Sequence, residues 1–252
     1  MLRFSNSPIR YPLQVAPTWR VGWGPEAKLE GAAWQEGPLA IAVGSGRPAD
    51  SQLALSPSRR YVVVGNIWLS DRRSLLRDLI SENPLQPSDV QLVAAAWERW
   101  QTAVLPKLVG SFSLAVWDRE REVLWLGRDS AGARTLYYTI QGSTYWAAGD
   151  LRALTPYRSS NLDLVALRDY LCCAFVPGSR TLWQDVRELR PGTQLSWPGT
   201  DCQAYCIWRN GWILRVRNNR WSGMGSSCDR TSIKSYKTRC LKLQWESSSP
   251  AG

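Results

Sequence analysis

The stretch Ser111–Trp117 alternates Phe112, Leu114 and Val116 with Ser113, Ala115 and Trp117. Strand side chains point alternately to opposite faces, and here both faces carry apolar or small groups. The strand is therefore predicted to lie between two layers. A charged turn, Asp118–Glu122, joins it to the apolar run Val123–Leu126 as a hairpin. Further strands are predicted at Tyr61–Val64, Thr135–Thr139 and Thr144–Ala148, with short apolar pieces such as Leu39–Val43 between turns upstream.

Helices separate these strands. Residues 88–101 carry the clearest one: Ser88 with Gln91 three places on forms a capping box, and Leu92, Val93, Ala96, Trp97 and Trp100 recur at the helical period. Ser70–Ile80 reads as a second helix with Ser70 or Asp71 as N-cap and Leu75, Leu76, Leu79 and Ile80 on one face. A third is expected over Leu162–Cys172, capped by Asn161. Strands in series with packed helices predict an α+β sandwich. Periodicity stops after Trp197, so residues 1–197 are read as the folded domain and 198–252 as an irregular tail.

Composition narrows the chemistry. The 252 residues include no histidine, which excludes Ser-His-Asp and Cys-His catalysis and every His-containing metal site. No apolar run approaches the ~18 residues of a membrane span and Met1–Arg10 has no signal-like apolar stretch, so a cytoplasmic protein without membrane contact is expected. The net charge of +10 is uneven: residues 1–197 hold 22 basic and 18 acidic side chains, residues 198–252 hold 9 and 3. Four of the six cysteines also lie in the tail, and this break in composition is what translation in a shifted frame would produce.

Several segments then line up in order with one family. Gly110–Asp118, Arg128-Asp-Ser-Ala-Gly-Ala-Arg-Thr-Leu-Tyr-Tyr138, Leu151-Arg-Ala-Leu154, Leu167-Arg-Asp-Tyr-Leu171, Val176-Pro-Gly178 and Leu189-Arg-Pro-Gly192 resemble the glutaminase-type (class II amidotransferase) domain of asparagine synthases. The segment Gly65–Arg73 is closer to asparagine-synthase-like relatives that lack the N-terminal Cys. The resemblance implies an N-terminal-nucleophile hydrolase fold, a four-layer αββα sandwich of two antiparallel sheets. It also implies a family reaction in which glutamine-derived ammonia serves ATP-dependent amide formation on aspartate.

In active members the second residue is a Cys that attacks the glutamine amide with its own α-amino group as base. Position 2 here is Leu2, so no catalytic residue is assigned and glutamine hydrolysis is not expected. The resemblance places substrate-binding roles on Arg47 of Gly44-Ser-Gly-Arg47, on Asn66 and on Asp89 of Ser88-Asp89. An arginine suits a carboxylate as a planar bidentate donor. Each of the three also has an ordinary structural reading, as loop, turn or first-turn helix residue. Trp68, where active enzymes carry Glu, is expected to fill the substrate space. Arg128 and Asp129 resemble a structural ion pair of the family, and Cys172 and Cys173 are expected to be buried by helix packing.

No cofactor is expected in this chain. ATP and Mg belong to a synthetase domain, whose S-G-G-x-D-S loop has only Ser222-Gly-Met-Gly-Ser-Ser227 as a distant echo. Expected partners are glutamine or a related amino acid and a separate synthetase domain or a second copy of the chain. A non-catalytic binding module is the alternative reading. Zinc at Cys202, Cys206, Cys228 and Cys240, or nucleic acid on the basic tail, are the weaker ones.

Overall fold

A computed structural model describes residues 19–44, 52–79 and 87–197, together with the backbone of 205–206. All lie in one unit of the chain, Met1–Asn218. The doubly apolar strand predicted from sequence is the centre of the architecture. It runs as β6 (Gly110–Asp118), between β5 (Tyr61–Leu69) and β7 (Val123–Arg128), antiparallel to both. With β4 (Leu53–Leu55), β11 (Thr193–Trp197) and β12 (Tyr205–Cys206) it forms a six-stranded sheet in the order β12-β11-β7-β6-β5-β4. The second sheet is also antiparallel, in the order β10-β8-β9-β1-β3-β2. Its strands are β1 (Arg20–Trp23), β2 (Trp34–Glu36), β3 (Leu39–Ala42), β8 (Tyr137–Gln141), β9 (Thr144–Ala148) and β10 (Val186–Glu188).

The period of two along β5 and β6 sorts the core. Val63, Ile67, Phe112, Leu114 and Val116 face a helical layer made by α1 (Arg72–Leu79), α2 (Asp89–Trp100) and the 3-10 turn Gln101–Lys107. Val62, Val64, Ala115 and Trp117 face the other sheet and meet Val21, Ile41 and Ala147 there. The outer face of the second sheet is covered by the 3-10 turn Leu151–Tyr157 and by Ala27 and Leu29, not by a long helix. Trp146 stacks on Tyr157 with ring centroids 3.7 Å apart, and Gly22 lies directly beneath that indole, where any Cβ would collide with it. The expected α+β sandwich of two antiparallel sheets is thus what the chain adopts, with a thin fourth layer.

Local signals translate closely. The capping box is present: the Ser88 hydroxyl accepts from the Gln91 N–H and the Gln91 side chain accepts from the Ser88 N–H. Asp71 accepts from the Ser74 N–H at the start of α1. The third helix, α3 (Leu164–Cys173), begins two residues later than expected, because Asp163 rather than Asn161 caps it by accepting from the N–H groups of Val165 and Ala166. A carboxylate at that position also satisfies the positive helix end. Cys172 and Cys173 are exposed, which corrects the expectation of burial. Ala166 is the only buried residue of α3, so the helix has no inward face wide enough to cover two thiols.

Arg128 and Asp129 do not pair with each other. Asp129, 1% exposed, accepts from the backbone N–H groups of Phe112, Ala131, Ala133 and Arg134. Arg128 donates to the carbonyls of Gly132, Arg134 and Leu189 and pairs with Glu188 at 2.7 Å. Gly132 makes the turn after them possible, at φ +67°. Arg128→Ala should cost about 3 kcal/mol in urea denaturation, within the range for breaking a buried charge pair, because it orphans three carbonyls and Glu188. Arg128→Lys should recover little, since an ammonium cannot reproduce the fork.

A second buried carboxylate, Asp118, closes the β6–β7 turn. Burial pushes its pKa up, but donation from the Arg60 guanidinium and from the N–H groups of Arg121 and Glu120 outweighs that and holds it below the usual range. A depressed folded-state value means the ionised form contributes stability at neutral pH that is lost as pH falls through that value. Thermal melts should be flat down to about pH 5 and fall below about pH 4. The fall should be shallower in Asp118→Asn.

Candidate functional site

At one end of the space between the sheets lies a cavity of about 330 Å³, lined by Asn66, Ser113, Ala133, Arg134, Thr135, Tyr137, Gly149, Asp150 and Leu151. That volume is at the lower end of small-molecule sites. Each wall has a local origin. Asn66 and Ser113 are Cα partners across β5 and β6 and follow Val64 and Ala115 on the inter-sheet face. Ser113 accepts from the buried Trp19 indole at 3.4 Å, so an indole at the head of β1 backs this wall. Ala133 to Tyr137 are presented by the loop that Asp129 and Arg128 hold from beneath. Asp150 caps the Leu151–Tyr157 turn by accepting from the Arg152 N–H.

The electrostatics of this cavity are bipolar. Hydrogen bonding from Arg152, against some burial, holds the Asp150 carboxyl below its usual range, so it is a carboxylate at neutral pH. Tyr137 is raised, first by burial and then by Glu188 and Asp150, and remains a neutral phenol able to donate. Arg134 supplies the positive charge, and its Nε is buried with no hydrogen-bond partner among the described residues. A guanidinium nitrogen held away from water in this state is costly unless an acceptor reaches it. A cation and an anion on the walls of one cavity match a zwitterionic α-amino acid, whose carboxylate suits Arg134 and whose ammonium would share Asp150 with Arg152, its partner at 2.6 Å.

The sequence-derived residues divide. Asn66 lines the cavity. Asp89 does not: at the first position of α2 it accepts from the Leu69 N–H at 2.9 Å and pairs with Arg72 at 2.8 Å. Arg47 lies outside the described residues. Trp68 is 57% exposed and absent from the cavity wall, which corrects the expectation that it fills the substrate space. It sits at the penultimate position of β5, where only Ser111 of the neighbouring strand faces it. Arg134, Tyr137 and Asp150 were not singled out from sequence. Arg134 and Tyr137 lie within the Arg128–Tyr138 segment that carries the resemblance, which gave them no site role, and Asp150 had no local signal, since the fold alone brings it to Asn66. A second cavity of about 310 Å³, beyond β6 on the helical side, is lined by Ser70, Phe112, Arg128 and Ser130 among others. Its one charge, Arg128, is already spent on carbonyls and Glu188.

Comparison with known proteins places these features. Residues 44–208, well over half of the chain, match a family described as glutamine amidotransferase domain. Among curated proteins, asparagine synthetase [glutamine-hydrolyzing] 1 of Bacillus subtilis is 30% identical over 43% of this chain and 17% of its own length. Asparagine synthetase [glutamine-hydrolyzing] 3 of the same organism is 24% identical over 59% of this chain and 25% of its own. A putative asparagine synthetase of Mycobacterium tuberculosis is 30% identical over 53% and 22%. The chain thus spans a quarter or less of these relatives. Among solved structures, the glutamine phosphoribosylpyrophosphate amidotransferase of B. subtilis complexed with ADP and GMP aligns at TM-score 0.45 and 16% identity, covering 72% of this chain and 41% of that one.

Asp89→Ala should destabilise the fold by about 1–3 kcal/mol in urea denaturation, the cost of a lost charge-assisted hydrogen bond to a backbone donor. Asp89→Asn retains an acceptor for the Leu69 N–H and should lose less than half as much.

Proposed function

The chain belongs to the glutamine amidotransferase domain family, and on that premise we propose that this domain recognises glutamine or a closely related amino acid without hydrolysing it. In this reading it serves a second, amide-forming domain of the asparagine-synthase type. The observation that carries it is the bipolar cavity at the inter-sheet end, where Arg134 and Asp150 offer opposite charges beside Asn66. Hydrolysis by the family route needs a thiolate and a base, and the cavity wall holds no thiol among the described residues. The two described cysteines lie on α3 and do not line it. The donor for amide formation would then be free ammonia or a peptide amine, with ATP and Mg held by the second domain.

Calorimetry with glutamine and glutamate tests the pocket. Glutamine should bind to the full chain with no release of glutamate on prolonged incubation. Arg134→Ala and Asn66→Ala should each weaken binding at least about tenfold, equivalent to ~1.4 kcal/mol. Arg47→Ala tests whether the loop residue suggested by the family pattern adds to Arg134. Silence of the wild type towards both amino acids would refute a retained site, and steady glutamate production would refute the loss of hydrolysis.

A further inference from the structure

Large exposed apolar side chains are unevenly spread over this domain. Of the eight among the described residues, six lie between positions 162 and 175, around α3. Trp68 stands apart from them, 57% exposed on the sheet that carries Asn66. Its face is fixed by the pleat. Val62 and Val64 point toward the other sheet and Val63, Ile67 and Leu69 toward the helices, and β5 pairs with β6 without a bulge from Tyr61 to Leu69. Residues two apart share a face, so Trp68 follows Asn66 on the inter-sheet side, about 7 Å further along the strand. Across from it, Ser111 follows Ser113 in the same way. Asn66 and Ser113 line the cavity, and Trp68 and Ser111 are the next pair outward, where both strands end. The indole therefore stands at the rim of the cavity and not in its wall.

An indole left in water is apolar and aromatic surface that a ligand can still cover. A free amino acid held between Arg134 and Asp150 has its polar head inside the cavity and leaves that surface bare. A second residue joined to it through an amide reaches the rim, because consecutive Cα atoms are about 3.8 Å apart and a side chain spans the remainder. The charges say which end is joined. The Arg134 Nε has no hydrogen-bond partner among the described residues, so a free carboxylate is what the wall calls for. Asp150 already holds Arg152 at 2.6 Å and does not depend on a second cation. An acylated nitrogen still offers it one N–H. We propose that the ligand is the carboxyl end of a peptide, with its last residue, glutamine or a relative, in the cavity and an aromatic or apolar penultimate residue against Trp68. This rests on the reading that Arg134, Asn66 and Asp150 form an amino-acid pocket, and it names the class of molecule that brings the amino acid there.

Calorimetry on the full chain with glutamine, glycyl-glutamine, phenylalanyl-glutamine and glutaminyl-phenylalanine tests the proposal. Phenylalanyl-glutamine should bind at least about tenfold more tightly than glycyl-glutamine, as an aromatic pair with its buried area would give. Trp68→Ala should erase that difference, and Trp68→Phe should keep most of it. Both variants should melt near wild type, because the indole already faces water. Equal affinities for the first two dipeptides in the wild type overturn the proposal, as does a preference that survives Trp68→Ala. Glutaminyl-phenylalanine binding as tightly as phenylalanyl-glutamine overturns it too, because glutamine would then enter by its amino end. Glutamine binding without any preference among the dipeptides strikes this inference alone, whereas silence toward all four ligands strikes the pocket as well.

Discussion

Two consecutive residues at the end of β7 tie together β6, the loop that leads into β8 and the segment between β10 and β11. Asp129 gathers four backbone N–H groups, one from β6 and three from its own loop. Arg128 takes up carbonyls from that loop and from the segment after β10, and the Asp129 carbonyl accepts from the Gly192 N–H. A buried carboxylate is tolerated only when its lone pairs are met, and a buried guanidinium only when its donors are. Asp129 meets that condition with backbone groups and Arg128 with backbone groups and Glu188, so both desolvation costs are converted into loop geometry. The consequence reaches both sheets, because the held segment leads directly into β8 of one sheet and the contacted one into β11 of the other.

The cavity inherits its shape from that node. Ala133 to Tyr137 form a wall because the loop beneath them is rigidly hydrogen-bonded, and Asn66 and Ser113 form the opposite one because the central strands end there. Placing Arg134 on this wall leaves its Nε buried without a hydrogen-bond partner among the described residues. Such groups in native folds mark places where something outside the polypeptide completes the hydrogen bonding. On α3 the imbalance is of the opposite kind, an apolar stripe with too few neighbours. Both lie in the half of the domain after β7, whereas the helical side built on α1 and α2 is conventionally packed.

Strands and helices with strong internal periodicity were legible without coordinates. The β6 alternation, the α2 stripe and the Ser88–Gln91 box each involve neighbours within a few residues, so local chemistry decides them. Errors arose where a distant contact decides. The cap of α3 moved to Asp163 because one of its carboxylate oxygens accepts from the N–H groups of Val165 and Ala166 while the other is held by the distant Arg180. The burial of Cys172 and Cys173 failed because helical propensity says nothing about which face finds a partner. Asp89, which the resemblance offered as a ligand residue and the helix pattern as a first-turn residue, is engaged with Arg72 and the end of β5, and that engagement depends on how α2 docks.

By itself the sequence determined the layered α+β class, the absence of histidine chemistry, the principal helix and the family to which the chain belongs. These depend on side-chain type and spacing, which survive without a fold. The tertiary structure alone decided that Arg134 and Asp150, sixteen positions apart, face one cavity with Asn66 from the other sheet. It also decided that α3 presents Leu164 and Leu171 to solvent and that Arg128 and Asp129 engage backbone groups and Glu188 rather than each other. Those outcomes turn on which groups converge after burial, where the cost of an unmatched charge is set by its neighbours in space and not by its neighbours in the chain.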